Sequence, residues 1–212
     1  AVEAAECWEI ALSNRTGPSS LIFARQPLES VRGEAGANLS ARGAYVLAEA
    51  EGGARRATLL ATGSEVALAV KARAALQAEG VPTAVVSMPS WELFERQDRA
   101  YRDQVLGRGT ACVGVEAAVR LGWDRYLGED GGFVGMSGYG ASGAEQELFE
   151  HFGITPEEVP LSPGASHIEA MAAAVKKHHG KTVLVVGHSN TIMQYIAALG
   201  GPRRGDLCDH QY

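Results

Sequence analysis

Short apolar runs separated by helix-length stretches constrain this chain more than any other feature. Residues 57–62, 83–88 and 111–115 each read as a strand that is apolar almost throughout, and 133–136 and 182–187 add two more. Strands of this kind are buried on both faces, which is the situation of a parallel sheet covered by helices. The intervening segments have helical spacing. Gly63-Ser64 turns the first strand into an alanine-rich helix from Glu65 to about Glu79, ended by Gly80. Pro89-Ser90 opens a second helix through Trp91, Leu93 and Phe94, and the spacing predicts a third through Ala117, Leu121 and Tyr126. Ser142-Gly143-Ala144-Glu145 reads as a capping box ahead of an apolar stripe at Leu148, Phe149 and Phe152. The pattern predicts an α/β fold: three layers, with a mostly parallel sheet between helices.

The flanks are less regular. Residues 2–12 have helical spacing, with Ala5, Trp8 and Leu12 on one side, and residues 20–25 read as a short buried strand ending at Arg25. A polar, glycine-containing stretch over 27–39 reads as a linker. Near the other end, Thr155-Pro156-Glu157-Glu158 has the signals of a helix start, yet Pro160 follows after a single turn and forbids its continuation. Beyond that break, Ile168, Met171, Ala172 and Val175 follow helical spacing, and Asn190 caps a last helix through Ile192, Tyr195, Ile196 and Leu199.

Composition narrows the function classes. A formal charge of −6 gives no general attraction for nucleic acid or anionic membrane, so an anionic substrate needs a local arginine. Cys7, Cys112 and Cys208 are odd in number and too few for a disulfide framework, and read as reduced residues of a cytoplasmic protein. No apolar run approaches a membrane span, the first residues lack a signal-peptide pattern, and the missing initiator methionine reads as a fragment.

From Ala1 to Val159 the chain resembles the C-terminal part of transketolase. The matching pieces are Ser20-Leu21-Ile22-Phe23-Ala24-Arg25-Gln26, Ala41-Arg42-Gly43-Ala44-Tyr45-Val46-Leu47, Ala61-Thr62-Gly63-Ser64-Glu65-Val66, Val86-Ser87-Met88-Pro89-Ser90, Val115-Glu116-Ala117, and Gly135-Met136 through Phe152-Gly153-Ile154-Thr155. The resemblance implies that 1–26 end the pyrimidine-binding domain, that 27–39 link the two, and that 40–159 form the C-terminal domain. It implies that Arg25 grips the phosphate of a sugar-phosphate substrate, a role that suits a guanidinium fork. It also implies two-carbon ketol transfer in a homodimer, with thiamine diphosphate and magnesium held by residues upstream of Ala1. No Gly-Asp-Gly metal motif occurs here, so no cofactor or metal ligand is expected in this segment, and no activity is expected from it alone.

Residues 160–212 resemble the closing part of the histidine phosphatase (phosphoglycerate-mutase-like) family. The carrying pieces are Thr182-Val183-Leu184-Val185-Val186-Gly187-His188-Ser189-Asn190-Thr191, Ile196-Ala197-Ala198-Leu199-Gly200-Gly201 and Asp206-Leu207-Cys208-Asp209-His210-Gln211-Tyr212. This implies an incomplete strand–helix unit of that fold, with His188 as a phosphate-binding histidine. The family's Arg-His nucleophile is absent, and His151, His178 and His179 offer no substitute. Edge addition of 182–187 to the first sheet is expected. Three function classes remain open: a portion of transketolase, a phosphomonoesterase relic, and a non-catalytic assembly or regulatory domain.

Other residues have bland readings. Ser64 is expected as a plain N-cap, Glu116 as a carboxylate at a helix start, and Trp91, Trp123 and Tyr126 as packing.

Overall fold

The computed structural model describes residues 1–33, 36–128 and 131–156. Five strands form one sheet: β1 (Tyr45–Ala48), β2 (Ala57–Ala61), β3 (Thr83–Ser87), β4 (Ala111–Val119) and β5 (Gly132–Met136), in the order β1-β3-β2-β4-β5. The three pairings among β3, β2, β4 and β5 are parallel, and β1 closes one edge antiparallel. The mostly parallel sheet read from the apolar runs is therefore present.

Every residue of β2 and β3 is buried, because both sheet faces are covered. Leu59, Val85 and Val113 share one register row and Leu60, Val86 and Gly114 the next, so alternate residues serve opposite faces. On one face lies α2 (Glu65–Ala78), packed across β2, β3 and β4. On the other, Leu60, Val86 and Cys112 join a core built with Phe94 of α3 (Trp91–Glu95), Val105 and Leu106 of α4 (Arg99–Leu106), and Tyr126 and Leu127 of α5 (Asp124–Leu127). Trp91 and Trp123 meet edge to face at 5.2 Å and Trp91 meets Tyr126 at 5.3 Å, so the expected packing role of these aromatics is observed.

Local signals explain several boundaries. The Ser90 hydroxyl accepts from the Leu93 N–H at 3.3 Å and starts α3; Asp98 accepts from the Tyr101 N–H at 2.8 Å and starts α4. Gly43 has φ 82°, and a Cβ there would lie 2.1 Å from the Phe94 nitrogen. Only glycine allows this close crossing of the β1 approach and α3.

Four expectations change. Residues 20–25 form no strand, and Ile22 is 95 % exposed; they pair with no strand of the described sheet, and a lone segment without a partner gains no ladder bonds. The helix expected through Ala117 and Leu121 is instead the end of β4, because Glu116 and Val119 pair with Gly135 and Met136 of β5, and α5 begins only at Asp124. Ser64 holds the expected N-cap position of α2, but its hydroxyl donates to the Glu65 carboxylate at 2.9 Å and makes no side-chain cap bond to a backbone N–H. Ala144, not Ser142, is the N-cap of α6 (Glu145–His151), with no side-chain cap bond. The break at 157–160, His178, His179, Cys208 and the whole of 160–212, including His188 and the 182–187 strand, lie outside the described residues.

Candidate functional site

The segment carrying Arg25 reaches the sheet by way of α1 (Val2–Ser13). That helix is held by polar contacts. Glu6 is buried; its carboxylate pairs with the Arg32 guanidinium and accepts from the Ser40 N–H at 3.1 Å and hydroxyl at 2.7 Å. Burial works to raise the Glu6 pKa, but the Arg32 and Ser40 bonds outweigh it and hold the group at about 2. Glu3 accepts from the Tyr45 hydroxyl at 2.8 Å and the Ser87 hydroxyl at 2.5 Å, fixing α1 to β1 and β3. The apolar side of α1 points the other way: Trp8 is 51 % and Leu12 68 % exposed, and Phe23 stacks on Trp8 at 6.3 Å.

Arg25 sits in an exposed bend with Gln26, not at the end of a buried strand, and makes no hydrogen bond or ion pair among the described residues. Gln26 nevertheless reaches a cavity of about 240 Å³ at the carboxyl ends of the parallel strands. The cavity is walled by Ser64 and Glu65 after β2, Ala117 in β4, Met136 at the end of β5, and Glu145 and Phe149 of α6. Carboxyl ends of an open parallel sheet, where successive crossovers part to opposite sides, are the usual place for a ligand. Here β2 lies between β3 and β4, so the strand after α2 and the strand after α4 fall on opposite sides of it.

This cavity is acidic. Glu65 is only 4 % exposed, and burial followed by the nearby Glu145 raises its pKa. Burial, then the charge of Glu65, pushes Glu116 up to about 8, and its Oε2 has no hydrogen-bond partner among the described residues. At neutral pH Glu116 is therefore a neutral carboxylic acid beside a second buried carboxyl. The pairing of Ala61 with Val115 brings the two glutamates together. Reading each glutamate against its own segment hid this; aligning the strand ends Ala61 and Val115 in parallel register would have exposed it.

Among the described residues no lysine or arginine lines the cavity, and no cluster of His, Cys, Asp or Glu suited to a metal occurs. The lining carboxyl groups, Glu65 and Glu145, give a diphosphate no cationic partner, and the volume is below the roughly 300 Å³ where small-molecule sites begin. Thiamine diphosphate with magnesium does not fit here.

Comparison with known proteins agrees with the fold. Residues 43–155 match the family described as transketolase-like TK C-terminal domain. A transketolase from Sinorhizobium medicae is 56 % identical over 160 residues, covering 74 % of this chain and 23 % of that protein. The chain thus spans about a quarter of the length of the curated relatives it matches. Among solved structures, transketolase from Leishmania mexicana superposes with a TM-score of 0.68 at 35 % identity, over 89 % of this chain and 26 % of that one. A transketolase from Pichia stipitis, solved in complex with sedoheptulose 7-phosphate, gives a TM-score of 0.51 at 32 % identity, over 68 % of this chain and 20 % of that one.

Proposed function

Because this chain belongs to the transketolase-like TK C-terminal domain family, we propose that it is the C-terminal portion of a transketolase, an enzyme that moves two-carbon ketol units between sugar phosphates. The observation that carries the reading is that the family match, 43–155, coincides with the five-stranded sheet and its helices. Thiamine diphosphate and magnesium then bind to upstream domains, in a homodimer, and this segment supplies none of their ligands. Its own contribution is Arg25: an exposed residue next to Gln26, which lines the cavity at the carboxyl ends of the strands, and free among the described residues to form a bidentate bond to a substrate phosphate. The acidic cavity behind it keeps that phosphate at the surface. A phosphomonoesterase relic in 160–212 is the second reading, and it is disfavoured because the sequence places no Arg-His nucleophile beside His188.

Mixing this chain with the upstream domains of a transketolase tests the proposal. Restored ketol transfer is expected, and Arg25→Gln in the mixture is expected to raise the KM for xylulose 5-phosphate by about tenfold, the size of one charge-assisted bond. No restored turnover, or an unchanged KM in the variant, contradicts it. Hydrolysis of p-nitrophenyl phosphate that disappears in His188→Ala would instead favour the phosphatase reading.

A further inference from the structure

A second cavity, of about 550 Å³, opens between α3, α4 and α5, among residues distinct from those around Arg25. Phe94 and Leu106 supply its apolar wall. Four arginines, Arg99, Arg102, Arg108 and Arg125, line it against two carboxylates, Glu95 and Asp103, leaving it positive in a chain whose formal charge is −6. Each carboxylate is shared. Glu95 serves Arg102 at 2.8 Å and Arg125 at 4.0 Å; Asp103 serves Arg99 at 3.3 Å and Arg108 at 3.5 Å. A guanidinium carries five N–H donors, so four of them on two carboxylates leave donors in excess.

Two of the unmatched groups are identified. The Nε of Arg102 is buried with no hydrogen-bond partner among the described residues, and the buried hydroxyl of Tyr126 is directed toward the Glu95 carboxylate without completing a hydrogen bond to it. Tyr126 is 2 % exposed and lines the cavity beside Glu95 and Arg125, the two charges that act on its phenol. Burial first, and then Glu95, pushes the phenol up to about 12, which keeps its proton in place. An arginine Nε–H and a phenolic O–H are both donors, and buried donors left unpaired are costly and rare. The partner they lack is an acceptor, and the surplus of guanidinium makes it an anionic one.

We propose that this cavity binds the phosphoryl group of a small phosphorylated ligand, with its oxygens accepting from Arg102 Nε and the Tyr126 hydroxyl. Planar guanidinium forks match phosphate oxygens, the volume falls within the range of small-molecule sites, and Phe94 with Leu106 accommodates an apolar part of the ligand.

The test is calorimetric titration of the full 212-residue chain with inorganic pyrophosphate at constant ionic strength, up to about 10 mM, beyond the usual 1 μM–1 mM metabolite window. Saturable one-to-one binding is expected, weakened about tenfold by Tyr126→Phe, which keeps the ring packed while removing the donor, and about as much by Arg102→Gln. Circular dichroism checks folding, and if Arg102→Gln does not fold, the more exposed Arg125→Gln replaces it. Absence of saturable binding overturns the proposal. So does binding that none of these variants weakens, which would place the anion elsewhere.

Discussion

Glu6 does for α1 what an apolar residue does for an ordinary docked helix. Its buried carboxylate is satisfied by Arg32 and Ser40, and Asn38 donates to its backbone carbonyl at 3.1 Å. Removing one member of a buried pair leaves the other uncompensated. Glu6→Gln is therefore expected to lower the unfolding free energy by about 3 kcal/mol, read from urea denaturation at pH 7. The folded pKa lies below the ordinary carboxylate value of 4.5, so this stabilisation is complete above that pH and is lost as pH falls toward about 2. Wild type and Glu6→Gln should converge in stability across that interval. Glu116 has the opposite sign. Its folded pKa of about 8 lies above its ordinary 4.5, so the folded state holds its proton more tightly and stability falls as pH rises between those values. Glu116→Gln should remove this decline, leaving the variant more stable than wild type at pH 9 by on the order of 1 kcal/mol in thermal melts followed across pH.

At the scale of elements, the crossing of the β1 approach over α3 depends on one glycine. Gly43 accepts from the Ser90 N–H at 3.0 Å and leaves no space for a Cβ. Gly43→Ala is expected to cost roughly 3 kcal/mol or more by denaturant midpoint, through strain at positive φ and collision with the α3 backbone. The elements most legible in the sequence were those with their own start and stop signals. β2, α2 and β3 follow one another through Gly63 and Gly80, and their apolar runs are long enough to read alone. β1 was not legible, because four residues with one antiparallel neighbour have no run to display. α4 was missed because its buried face is only Val105 and Leu106, although Asp98 gave a usable cap signal. Residues 20–25 were misread for a different reason. Apolarity records that a segment is to be covered, and says nothing about whether the covering surface belongs to the same chain. The same applies to Arg25, whose motif was readable while its exposed setting was not.

For the whole molecule, the polar seam and the outward apolar side of α1 fit the proposed role. Trp8, Leu12, Ile22 and Phe23 are exposed together with Leu28, and large exposed apolar groups mark surfaces made to be covered. In the proposed enzyme the upstream domains cover them, and those domains bring the cofactor pocket. On the proposed readings, Arg25 clamps a phosphate at the rim of the sheet and the cavity among α3, α4 and α5 takes a second anion, and neither site is equipped for ketol transfer. The most direct measurement is steady-state ketol transfer by the purified chain alone, from xylulose 5-phosphate to ribose 5-phosphate, with thiamine diphosphate and magnesium in excess. The account predicts no turnover above the protein-free rate, and sustained turnover by this chain without any other polypeptide would contradict it.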